Sequence, residues 1–137
     1  MINGDGVARA MLNAIKIMKR NDILSQKTLA FAIRIVRLYQ YLVTDKKEFV
    51  ISKQMLRSGT NPGAMVREAA NAESGIDFIH KLSIAQKEIS ETQYWLELLS
   101  ATDYLNLVEY SSIDNDAEEI MRLLTSSILT KKKNLKK

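Results

Sequence analysis

From Asp77 to Leu99 the chain reads DFIHKLSIAQKEISETQYWLELL, with Phe78, Leu82, Ala85, Ile89, Thr92, Leu96 and Leu99 recurring at alternating steps of four and three. That spacing draws one stripe down an α-helix, and Ile79, Trp95 and Leu98 widen it until it must meet more than one neighbour. Lys81, Gln86, Lys87, Glu91, Gln93 and Glu97 fill most of the remaining arc, so the helix is amphipathic and unsuited to a bilayer.

The same periodicity organises the flanks. Ser25 is placed to cap a helix over 26–44, in which Leu29, Ala32, Val36, Tyr39 and Val43 form one stripe and Phe31, Ile35, Leu38 and Leu42 a second. Two stripes imply burial on two sides. The short break at Asp45, Lys46 and Lys47 predicts an antiparallel return. The next helix, from about Glu48, carries Ile51, Met55 and Leu56, and Gly59, Thr60, Asn61 and Pro62 then interrupt it, which predicts a kinked or two-piece second helix reaching about Ser74. The long third helix follows Gly75 and ends near Ala101, residues 102–115 read as a connection, and Ile113, Ala117, Ile120, Leu124 and Ile128 mark a fourth helix. Early acids (Asp114, Asp116, Glu118, Glu119) and late lysines suit the two ends of its dipole. The expected fold is all-α: an antiparallel up-down-up-down four-helix bundle over residues 25–130, with a helical or frayed extension over 1–24 and a basic tail over 131–137.

Composition narrows the classes. The 137 residues suffice for one domain, and five Gly with one Pro are too few for the turns of an all-β fold. The absence of Cys excludes disulfides, thiolate zinc sites and cysteine nucleophiles, and fits the cytoplasm. The apolar stretch from Leu29 to Val43 is broken by Arg34 and Arg37 and falls short of the roughly 20 residues a membrane span needs. Residues 1–24 lack the charged-then-apolar order of a secretory signal. The net charge of +4 is uneven, because residues 131–137 carry +5 and residues 1–24 carry +2, which leaves −3 on the body.

Three segments, QMLRS at Gln54 to Ser58, Glu68 with Ala69, and DFIHKLSIAQKE with ETQYWLELL over 77–99, resemble the four helix bundle protein family, encoded in intervening sequences of bacterial large-subunit ribosomal RNA genes. The resemblance spans roughly Leu29 to Leu105. It implies an antiparallel bundle that assembles as a ring-like homo-oligomer, a pentamer in particular, with no established activity. A related branch is the accessory protein of diversity-generating retroelements, a basic pentameric barrel that partners a reverse transcriptase and binds nucleic acid. Where the family pattern ends its bend on Asn, this chain has Met65.

The candidate chemistry is sparse. His80, the only histidine, has no nucleophile in a recognisable spacing and reads as a surface or structural residue. Glu68, Glu73, Asp77, Glu88 and Glu91 lack the paired Glu-x-x-His units of a carboxylate di-metal cage, so neither metal nor cofactor is expected and the chain reads as a non-enzyme. Lys53 and Arg57, with Arg67, Arg34 and Arg37, form a phosphate-binding strip if they meet on one face, whereas Arg57 paired with an acid such as Glu68 would stitch the bundle instead. Lys131, Lys132, Lys133, Lys136 and Lys137 are the clearest electrostatic signal, multiplied by repetition in a ring, and point to RNA or DNA more than to a membrane. The aromatics Tyr39, Tyr41, Tyr94 and Trp95 suit core or interface positions better than base stacking. The double stripes exceed what one bundle of this size buries, and Phe31, Ile35, Leu38, Tyr94, Trp95 and Leu98 are the candidates for contact between copies. A protein–protein adaptor that docks its partner on an apolar or kinked surface is the alternative.

Overall fold

The computed structural model describes the backbone of residues 4–136 and the side chains of residues 6–12 and 23–136. Its described residues form helices α1 (Gly4–Thr44), α2 (Ile51–Ala70), α3 (Gly75–Ala101) and α4 (Leu107–Leu135). Each packs on its neighbours in a closed cycle, α1 on α2, α2 on α3, α3 on α4 and α4 on α1, with the backbones of the diagonal pairs farther apart. Ile35, Leu42, Met55, Leu82, Ile89, Leu96, Leu99, Ile120 and Leu124 fill the shared centre. The stripe foreseen on α3 is therefore the core-facing stripe, and the fourth helix buries the Ile113, Ala117, Ile120, Leu124 and Ile128 series as its spacing requires.

The helix ends are set by side-chain chemistry. Glu48, only 7% exposed, accepts from the backbone N–H groups of Val50 and Ile51 on Oε1 at 3.1 and 2.8 Å and from that of Ser52 on Oε2 at 2.6 Å. It thus satisfies the orphan donors of the first turn of α2 from outside the helix. Ser74 Oγ accepts from Asp77 N–H at the start of α3, and Asn106 with Glu109 makes a reciprocal capping box at the start of α4. The end of α3 is a Schellman turn: Tyr104 N–H donates to the Leu99 carbonyl and Asp103 N–H to that of Ser100, with Asp103 left-handed at φ 70°.

Several expected boundaries move. Ser25 caps nothing; α1 runs through it unbroken, and its carbonyl accepts from Thr28 Oγ1. Asn61 and Pro62 start no second piece, since α2 is one helix with Pro62 buried inside it. Gly59 ends no turn either. It is buried where α2 meets α1, and a Cβ there would lie 2.8 Å from Ile35 Cγ1, so close that Ile35 or the helices would have to shift. Gly63, one turn on, faces Thr28, so the Gly-x-x-x-Gly spacing lets two backbones approach. The fourth helix starts at Leu107, six residues before Ile113, and the expected tail is no separate segment through Lys133, because α4 continues to Leu135. The charges of Lys16, Lys19, Arg20 and Lys137 lie outside the described side chains.

Candidate functional site

The five basic residues proposed as one strip divide into two sets. Arg34 is committed to α4: its guanidinium donates to Asp116 Oδ2 at 2.7 Å, to the Ser112 carbonyl at 3.3 Å and to Ser112 Oγ at 3.1 Å. Arg57 is committed to α3, donating to Glu88 Oε2 at 3.0 Å and to Glu91. The acid is not Glu68, which instead pairs with Lys81 at 3.3 Å. Glu91 also accepts from Trp95 Nε1 at 2.9 Å. That indole donor holds the Glu91 carboxyl below its usual range, against desolvation that pushes it up, with Arg57 adding to the lowering. Exposed pairs of this kind stabilise by only ~1 kcal/mol or less, so their effect is mainly to fix which faces of α2 and α3 meet.

Arg37, Lys53 and Arg67 remain exposed, with no ion pair among the described residues. Of the three, Arg67 lines the groove between α1 and α2. The groove holds a cleft of about 310 Å³ lined by Leu29, Ala32, Thr60, Gly63 and Arg67 among others. Beside it Leu29, Ile33 and Val36 are 52%, 46% and 37% exposed, at steps of four and three along α1.

The interface candidates are redistributed likewise. Phe31 and Ile35 are 1% and 0% exposed and belong to the core. Leu38 and Trp95 pack half-buried against that core, and Leu98 is half-buried. Tyr94 alone of the six stands out into solvent, 57% exposed and edge-on to Trp95 at 5.0 Å between ring centroids. The outward apolar stripe is thus Leu29, Ile33 and Val36. Leu29 and Val36 come from the first of the two stripes read on α1 and Ile33 from neither, since period alone does not say which stripe meets the core.

On the opposite side, α3 and α4 gather acids. Gln93 Nε2 donates to Asp114 Oδ1 at 3.2 Å and Glu118 Oε1 at 2.7 Å. Burial, with Asp114, Glu97 and Glu118 nearby, raises the Tyr110 hydroxyl above its usual range. At the far end of α4, Lys131 lies over the Phe78 ring at 5.2 Å, Leu135 closes over Gly75, and Lys132, Lys133 and Lys136 are exposed. A cleft of about 750 Å³ at this end is lined by Leu24, Val66, Phe78, Leu82, Glu73 and Lys131 among others.

His80 is exposed. Among the described residues no three His, Cys, Asp or Glu side chains gather as a metal site, and no helix is long and apolar enough to cross a membrane.

The chain matches the family described as 23S rRNA-intervening sequence protein over residues 20–126. It is also similar to the crystal structure of a protein of unknown function from the S23 ribosomal protein family of Bacteroides thetaiotaomicron VPI-5482. The two are 57% identical with a TM-score of 0.77, over 77% of this chain and 98% of the other. Among curated proteins none matches.

Proposed function

The chain belongs to the 23S rRNA-intervening sequence protein family, and from that premise we propose that it is a non-enzymatic scaffold, an antiparallel up-down-up-down four-helix protomer that assembles into a ring-like homo-oligomer and binds RNA or DNA electrostatically. A pentamer is the assembly that the resemblance implies. The observation that carries the reading is the outward stripe of Leu29, Ile33 and Val36, half-exposed on a helix whose other face already fills the core. An apolar helical face bordered by unpaired cations is what one copy offers to another. Pairings of falling with rising residue numbers, Ile35 against Gly59 with Thr28 against Gly63, Arg57 against Glu88 with Glu68 against Lys81, and Gln93 against Asp114 with Gln86 against Thr125, support the antiparallel order.

For nucleic acid, support comes from Lys132, Lys133 and Lys136, exposed at the end of α4 and free of acidic partners among the described residues. A ring repeats that set once per subunit, so weak contacts act together. The test is a gel shift with RNA and with DNA across a salt series, comparing the wild-type chain with Lys132→Gln, Lys133→Gln, Lys136→Gln combined. Substitution is preferable to deletion, since removing residues 131–137 would also take Leu135 off Gly75. Affinity should fall steeply with salt, and the variant's log–log salt slope should be shallower by up to about 3 per chain engaged. An unchanged slope would remove these lysines from the interface, and no shift at any salt would remove nucleic acid from the function.

A further inference from the structure

The end of the bundle where α2 gives way to α3 is hollow. A cleft of about 750 Å³ lies there between all four helices, with Leu24 of α1, Val66 of α2, and Phe78 and Leu82 of α3 supplying its apolar wall. It stays unfilled because the last turn of α2 and the turn after it present Ala69, Ala70 and Ala72, side chains too short to reach across it. Concave, mainly apolar sites of roughly 300–1,000 Å³ are those that enclose small ligands, and helical bundles place them between their helices.

Three polar residues border the apolar wall with capacity to spare. Ser25 and Ser127 line the cleft, and their hydroxyls make no hydrogen bond among the described residues. Lys131 has no ion pair among the described residues, and its ammonium lies 5.2 Å from the Phe78 ring centroid. Ser127 and Lys131 are one turn apart on α4, so they share a face. Both lie past residue 126, where the family match ends, so the polar side of the cleft lies outside the matched region. The lining also holds Glu73, exposed in the turn before α3.

We propose that this cleft binds a small apolar monocarboxylate, its hydrocarbon body on Leu24, Val66, Phe78 and Leu82 and its carboxylate on the Lys131 ammonium and the Ser127 hydroxyl. An apolar body displaces water from the wall, and an anionic head supplies the partner that Lys131 lacks, through a bond that is strong because both groups are charged. One ammonium matches one negative charge. A phosphate head, which carries about −1.5 to −2 at neutral pH, would meet Glu73 with a single cation to offset it, and a cationic head would meet Lys131 itself. The site stands apart from the self-association and from Lys132, Lys133 and Lys136, assigned above to nucleic acid.

Octanoate is the probe, with octanol and octylammonium as its neutral and cationic counterparts, each titrated into the full chain by calorimetry. One octanoate should bind per chain, and octylammonium should not bind at the same concentrations. Lys131→Gln should weaken octanoate about tenfold, the order expected for losing a charged hydrogen bond, and leave octanol unchanged. Ser127→Phe and Ala72→Phe fill the cleft from opposite sides, and each should abolish binding of octanoate and octanol while the helical circular dichroism stays that of the wild type. Octanoate that does not bind the wild-type chain at millimolar concentration overturns the proposal, as does octanoate that binds Lys131→Gln as tightly as wild type. Binding that survives both filling variants, or several molecules bound per chain, would put the ligand on the exposed stripe of Leu29, Ile33 and Val36 and would equally overturn it.

Discussion

Glu48 shows how one buried carboxylate can hold a helix end. Burial alone would push its carboxyl up, but the amides of Ile51, Ser52 and Val50 outweigh that and hold it below the usual glutamate range. A carboxyl depressed in the folded state contributes stability in full above its unfolded-state value, and that contribution is lost as pH falls through the depressed folded-state value. Glu48→Gln should therefore cost about 1–2 kcal/mol near neutral pH, in line with the loss of a charged cap. Urea unfolding of both forms from pH 7 downward should show the gap narrowing in acid. A gap independent of pH would mean that the charge contributes nothing. Arg57 is the contrasting case: its guanidinium holds two acids, yet it stands more than half exposed, and its contribution is to alignment more than to stability.

At the scale of elements, α2 is where sequence and structure part. Gly59, Asn61 and Pro62 carry the signals of an end and a new start, and a local reading has to obey them. Tertiary packing overrides the signals. The helix tolerates a proline that removes the amide donor for the Ser58 carbonyl. Gly59 is there for closeness and not for a turn, which becomes visible only once α1 lies across it. Gly59→Ala should destabilise by about 1–3 kcal/mol through overpacking against Ile35. In the double variant with Ile35→Ala the two costs should fall short of their sum by 0.5 kcal/mol or more, the order of coupling expected for residues in contact. Strict additivity in denaturant unfolding would deny the contact. The third helix, by contrast, is legible along most of its length, because its stripe and its end near Ala101 agree with the structure, although Ser74, read as the end of the second helix, turns out to cap the third. The early start of α4 escapes notice since Leu107 and Val108, 72% and 80% exposed, supply no core-facing period, although the Asn106-x-x-Glu109 capping box was present in the sequence.

Over the whole molecule, the sequence already contains the surplus of apolar surface but not its location. Phe31 and Ile35 have the period of a core stripe, as Leu29, Ile33 and Val36 have that of its neighbour, and only the position of α2 decides which is covered. The cationic residues divide in the same way. Arg34 and Arg57 find acids on adjacent helices, while Arg37, Lys53 and Arg67 are exposed with no ion pair among the described residues, and nothing in their spacing distinguishes them. Family membership and fold agree on an all-helical chain, and the outward apolar stripe of α1 is the observation on which the proposed self-association rests. The mass of the intact chain in solution, measured by multi-angle light scattering at micromolar concentration, tests that claim most directly. A whole-number multiple of 15.6 kDa is the result expected of a self-associating protomer, and Ile33→Asp should lower it. A mass of 15.6 kDa for the wild-type chain, unaffected by concentration, would contradict the account.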